Sequence, residues 1–163
     1  MNSVNKCEKA LYYVRKQVEH CSVYVWGGQG EKLKKLTAPK LAQMETSSEN
    51  AARVERFIFN HLKVFDKNTK IFDCSGLVCC ALIYAGILKA GEDLTAAGLY
   101  NRFTKVLIAN RRDGDLIFKT SNGAITHVGI VDGAGVIEAK GRDYGVVISD
   151  IDSSWTLATR PSY

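Results

Sequence analysis

The chain has 163 residues, 46% of them hydrophobic and 24% charged, which suits one globular domain built on one core. No stretch is apolar over the roughly 20 residues that a membrane-crossing helix needs, so a membrane span is excluded. The formal charge of +5, with Lys32, Lys34, Lys35 and Lys40 in the first half, permits loose attraction to anionic polymers, but no recognition motif accompanies it and nucleic acid is not an expected partner.

The N-terminus, Met1 to Lys9, is polar and no signal-peptide core follows it, so Sec export is not expected. Val4 to His20 reads as a helix, with Cys7, Leu11, Val14, Val18 and Cys21 at three- and four-residue steps. Next, a β-prone run, Val23-Tyr24-Val25-Trp26, meets three glycines, Gly27, Gly28 and Gly30. Such a turn allows positive φ or close backbone approach, and Tyr24 and Trp26 beside it can wall a cleft.

Glu31 to Asp66 is charged and holds two helical patterns. Pro39 begins the first, with Leu41 and Met44 on one face. Ser47 or Ser48 caps the second, whose stripe is Val54, Phe57, Ile58, His61, Leu62 and Phe65. His61 on that stripe reads as a core or edge histidine. Neither a Pro/Gly linker nor a repeat interrupts this region, so residues 1–163 are expected to form a single domain with a helical insertion at about 31–66.

Phe72-Asp73-Cys74-Ser75-Gly76-Leu77-Val78 opens an apolar run that continues to Gly86, a helix terminator. This predicts a buried helix with Cys74 in its first turn. Thr95 to Phe103 predicts a short helix capped by Thr95, with Leu99 buried. The pattern then changes to short β-prone runs: Asp115 to Lys119, Ala124 to Val131, Gly135 to Ala139 and Tyr144 to Ile151. Turn residues separate them. Helices first and strands second predict an α+β fold, with the N-terminal helices packed on one face of an antiparallel meander sheet.

The five cysteines are Cys7, Cys21, Cys74, Cys79 and Cys80. An odd count without framework spacing predicts free thiols, with all but Cys74 acting as small buried apolar side chains. No C-x-x-C occurs, and His20, His61 and His127 lack ligand spacing, so neither a metal site nor a cofactor is expected. Cys74 is different. The unpaired N–H groups and positive dipole end of a helix favour a thiolate there, and a thiolate is a competent nucleophile. The Cys74 N–H is also a natural oxyanion donor.

A thiolate nucleophile needs a base, and Thr126-His127-Val128-Gly129-Ile130-Val131 puts a histidine inside the second strand. His127 is expected on the sheet face that packs against the Cys74 helix. A third polar group must hold the imidazole, and Glu138 on the next strand supplies one. An even-numbered hairpin loop puts Glu138 on the side of His127. A loop centred between Asp132 and Gly133 pairs the two directly, with the carboxylate accepting the Nδ1–H. An odd loop would break the proposal.

Taken together, these residues make the chain resemble the NlpC/p-sixty family of papain-like cysteine peptidases acting on the bacterial cell wall. The matching stretches are Tyr24-Val25-Trp26-Gly27-Gly28, Phe72 to Val78, Asp113 to Phe118 and His127 to Val131, in the family's order. The resemblance covers about Tyr24 to Ile151. It implies a papain-like fold, a catalytic Cys74 and a general base His127. In the family the third polar residue is most often histidine, where this chain has Glu138. The resemblance also implies that Tyr24 lines the cleft and that Asp73 and Ser75 contact substrate, at the free amine of a stem-peptide alanine. The segment from Glu31 to Asp66 departs from the family's short loop and is expected to form a groove wall that narrows specificity.

The implied reaction is hydrolysis of a peptidoglycan stem peptide at the γ-D-glutamyl–diamino acid bond through a cysteine acyl-enzyme. The alternatives are an N-acetylmuramoyl-L-alanine amidase of the related Cys/His class and a non-catalytic wall-binding module. A wall-directed domain without an export signal suggests a phage-type endolysin, or else a domain cut from a secreted host autolysin. Any wall-binding repeat would have to come from a separate domain.

Overall fold

A computed structural model of the protein describes residues 5–163, so the expected helix start at Val4 lies outside them. Helix α1 (Lys6–Glu19) begins at Asn5, whose side chain accepts the Cys7 N–H at 2.8 Å, and it buries Ala10, Leu11 and Val14. Strands β1 (Val23–Tyr24) and β2 (Gln29–Lys32) flank the glycine turn. Helix α2 (Ala38–Glu45) is capped by Thr37 with Pro39 in its first turn, and α3 (Ser48–His61) is capped by Ser47. Strand β3 (Lys70–Phe72) leads into α4 (Cys74–Tyr84). Helix α5 (Ala96–Arg102) follows, capped by Thr95.

The C-terminal half is β4 (Thr104–Val106), β5 (Leu116–Ser121), β6 (Ala124–Asp132), β7 (Gly135–Gly141), β8 (Gly145–Asp150) and β9 (Trp155–Arg160). They form one six-stranded sheet in the order β4-β9-β5-β6-β7-β8. The expected meander is β5 to β8. Strands β4 and β9 were not foreseen, and β9 returns to lie between β4 and β5, antiparallel to both. A second sheet, β1-β3-β2, was also not expected. Its β1–β3 pair is parallel and its β2–β3 pair antiparallel.

The fold is α+β and papain-like. Helix α4 is buried nearly all round, as its unbroken apolar sequence requires. It packs with α1 and α5 onto the sheet face that carries Leu116, Phe118, Val128, Ile130, Ile137 and Ala139. The other two helices do not join that layer. Leu41 of α2 and Val54 and Phe57 of α3 close a separate small core on Val23, Val25 and Ile71. The short β1-β3 pair offers its own apolar surface, and α2 and α3 cover it. The stripe of α3 also ends sooner than expected, because the helix stops at His61 and leaves Leu62 exposed. All five cysteines are free; Cys79 is buried, and Cys7, Cys21 and Cys80 are half-buried.

Two glycines fix where α4 begins. The Gly28 carbonyl accepts the Asp73 N–H at 3.0 Å. A Cβ on Gly76 would lie 2.1 Å from that same carbonyl oxygen, and a Cβ on Gly28 would lie 2.8 Å from the Phe72 nitrogen. Both contacts are with backbone, which cannot rotate away. Gly76→Ala should therefore cost at least about 1–3 kcal/mol, as overpacking against an unyielding partner does. An unfolding midpoint in urea equal to that of the parent protein would refute this close-approach account.

Candidate active site

Asp73 is the N-cap of α4, and its Oδ1 accepts the Gly76 N–H at 2.6 Å. Its Oδ2 accepts the Gly27 N–H at 3.0 Å, so one carboxylate ties the glycine turn to the helix start. The Ser75 hydroxyl donates to Asp73 Oδ1 at 3.3 Å. Cys74 is thereby fixed as the first residue of the helix. Among the described residues, no group bonds to the Cys74 or Ser75 N–H, which the helix itself leaves without acceptors.

Strands β6 and β7 pair as Ile130–Ile137, Val131–Val136 and Asp132–Gly135, which leaves Gly133 and Ala134 as a two-residue loop. The loop is even, as the candidate site requires, but its centre lies one residue later than expected. His127 and Glu138 are therefore not directly opposite. They sit on the same side, beyond the point where the β6–β7 ladder ends, and His127 Nε2 meets Glu138 Oε2 at 2.5 Å. The bonding nitrogen is thus Nε2 and not the expected Nδ1. That leaves Nδ1 unspent on Glu138, while Cys74 is the other group that raises the ring's pKa. Alternation also corrects the expected face. Val128 and Ile130 belong to the helix-side core, so His127 groups with Gly129 and Val131, and its ring lies 5.5 Å from that of Trp155.

Burial alone would lower the His127 pKa. Hydrogen bonds to Cys74 and Glu138, and the charges of both, overcome it and push the imidazole up to about 9. Glu138 is buried, which would raise its pKa, but hydrogen bonds from His127 and Ser149 and the charges of His127 and Lys119 hold it below the usual carboxylate value. Histidine and carboxylate are thus directly paired, and the cysteine at the head of the buried helix acts on the same imidazole. The other histidines lie elsewhere. His61 stacks on Phe57 and bonds its carbonyl, and His20 pairs with Asp66. Among the described residues no cluster of three or more metal-binding side chains occurs.

The sequence model of the NlpC/P60 family matches residues 21–159. The chain belongs to the NlpC/P60 family. It is 36% identical over 81 residues to the probable endopeptidase p60 of Listeria grayi, a match that spans 49% of this chain but only 15% of that protein. The peptidoglycan hydrolase RipB of Mycobacterium tuberculosis superposes with a TM-score of 0.64 at 25% identity, over 97% of this chain and 66% of that one. RipD of the same organism, described as a non-catalytic NlpC/p60 domain protein adapted to peptidoglycan binding, superposes with a TM-score of 0.62 at 19% identity, over 97% and 98% of the two chains.

Tyr24 is expected to line the cleft. It is buried, and burial first, then the negative charges of Cys74 and Asp73, pushes its hydroxyl far above the usual range. Trp26 is 56% exposed at the glycine turn and offers a free aromatic face. Asp73 and Ser75 flank Cys74, although both carboxylate oxygens of Asp73 already accept backbone N–H groups. Sequence reasoning missed Glu45 and Arg142. The Glu45 side chain is fully buried; its Oε1 accepts the Trp26 N–H at 2.9 Å and its Oε2 accepts Arg142 Nε at 2.7 Å. The guanidinium lies over the Tyr24 ring, 5.4 Å from its centroid. No local pattern announces this pair, which lies 97 residues apart in the chain.

Proposed function

We propose that this NlpC/P60 domain is a cysteine peptidase that hydrolyses the γ-D-glutamyl–diamino acid bond of bacterial stem peptides, with Cys74 as nucleophile, His127 as acid and base, and Glu138 as orienter. The observation that carries the reading is the His127–Glu138 pair, whose imidazole is also raised by Cys74 at the start of α4. The fold alone could not carry it, because RipD shares the fold and is described as non-catalytic.

With the imidazole near 9, the proton sits on His127 at neutral pH, and a positive imidazole is the counter-ion that a thiolate nucleophile needs. The Cys74 sulfur attacks the γ-carbonyl carbon, and the carbonyl electron pair moves to oxygen, where the open N–H groups at the head of α4 receive it. The pair returns, the C–N bond breaks, and the diamino-acid amine leaves with the proton of His127. The resulting thioester is attacked by water, whose proton His127 takes, and the glutamyl carboxylate and free thiolate are released. Glu138 keeps Nδ1 turned to the sulfur by holding Nε2.

In this reading Tyr24, Trp26, Asp73 and Ser75 line the substrate cleft, and residues 1–163 form one domain in which about 31–66 is an insertion. The endolysin-type role is the more specific form of the proposal, with any wall-binding domain supplied outside this chain. Digestion of purified walls, with products identified by mass, tests the bond. Free amines on the diamino acid support the proposal. New ends at the lactyl group of muramic acid would replace it with the amidase reading. The endolysin form further requires the purified domain to clear suspended walls.

A further inference from the structure

The turn between β7 and β8 is held by the 31–66 segment at two successive residues. Glu45 of α2 takes Arg142, and Arg53 of α3 takes Asp143 through two nitrogens at 2.6 and 3.2 Å. Gly145 completes the clamp. A Cβ there would lie 2.5 Å from the Ser22 carbonyl, and the Val146 N–H bonds that same oxygen at 2.8 Å. An arginine on a turn this well fixed has little rotamer freedom left to lose on binding.

The bonding pattern of Arg142 leaves one end unused. Its Nε is spent on Glu45, but among the described residues the two terminal nitrogens make no hydrogen bond, and neither is sealed from solvent. That end of a guanidinium is a planar fork that matches a carboxylate. The fork lies over Tyr24, whose hydroxyl senses both Arg142 and Cys74. Glu45 divides its two oxygens between Trp26 and Arg142, so it engages only the Nε of the guanidinium and leaves the fork unpaired.

A γ-linked glutamyl residue keeps its α-carboxyl group outside the peptide chain, a few bonds from the γ-carbonyl that reacts. We propose that Arg142 reads this free α-carboxylate, so that the site selects stem peptides with the free acid over those whose α-carboxyl is an amide. The inference rests on the peptidase reading for the identity of the ligand. It gives the 31–66 segment a stated task, which is to hold the reading arginine over Tyr24.

The test separates binding from cleavage. Two synthetic peptides, L-alanyl-γ-D-glutamyl-diamino acid and its α-amide, are titrated into the Cys74→Ala protein by calorimetry. The acid should bind about tenfold or more tighter, as a charged bidentate contact implies. In Cys74→Ala/Arg142→Gln the acid-to-amide ratio should fall to about one. Because Arg142→Gln strips the buried Glu45 of its cation, a version that also carries Glu45→Gln keeps the pair neutral and should show the same loss. Arg142→Lys, which retains the charge without the fork, should fall between. Equal affinity for the two peptides in Cys74→Ala, or a preference that survives Arg142→Gln, overturns the assignment. Cleavage of the same peptides by the parent protein is scored separately, so a protein that prefers the acid yet cuts neither peptide refutes the peptidase reading and leaves Arg142 as a carboxylate-binding residue.

Discussion

Cys74→Ala should reduce stem-peptide hydrolysis by about 10⁴-fold or more, to the limit of detection, while leaving the fold and the unfolding midpoint near those of the parent. The size follows from the mechanism. Without sulfur no acyl-enzyme forms, and the remaining N–H groups and cleft act only on a direct attack by water. The fold survives because Cys74 is the first residue of α4, whose cap is Asp73 and whose burial begins with Gly76 and Leu77. His127→Ala should cost a comparable factor, and the double variant should be no worse than either single one, since the two groups act as a unit. Wild-type rates in Cys74→Ala would end the peptidase reading. An additive double variant would show that sulfur and imidazole work independently.

What the sequence revealed and what it hid divide by sequence distance. Caps and periodicities are local, so Ser47, Thr95 and Pro39 marked their helices correctly. The place of Cys74 at a helix start was legible because one short stretch carries the cap, the cysteine, the close-approach glycine and the apolar run. Strand β3 was hidden because it is three residues long and owes its existence to β1, far back in the chain. Strand β9 was hidden for a related reason: its place between β4 and β5 is set by pairing and not by its own pattern.

The β6–β7 hairpin is the instructive middle case. Asp132-Gly133-Ala134-Gly135 offers two glycines, and the turn could be centred on either side of Gly133. Moving the centre by one residue shifts every cross-strand pair by two, which preserves the side on which each residue lies. The contact of Glu138 with His127 therefore survived an error in register, whereas a half-step error would have removed it. The Glu45–Arg142 pair had no such protection. It joins a helix of the 31–66 segment to a sheet turn, and only the finished topology brings the two together.

The pH dependence of the site offers the sharpest test of Glu138. His127 is raised from 6.5 to about 9, so its ion-pair contribution to stability is complete below about 6.5 and is lost as pH rises through about 9. Activity that depends on the protonated imidazole should fall through the same upper limit. Glu138→Gln removes the negative charge but keeps an oxygen that can accept the Nε2–H, as the amide does in Cys-His-Asn peptidases. Its alkaline limb should therefore move to lower pH, and the decline of stability between about 6.5 and 9 should flatten. Glu138→Ala loses the acceptor as well, frees the ring to turn, and should lower kcat/KM by about 10²–10⁴-fold. Profiles of kcat/KM against pH, with thermal midpoints at the same pH values, measure both effects. If Glu138→Ala kept the parent's rate and the parent's alkaline limb, Glu138 would be a buried carboxylate that Ser149 and His127 merely satisfy, and the orienting role would pass to another group.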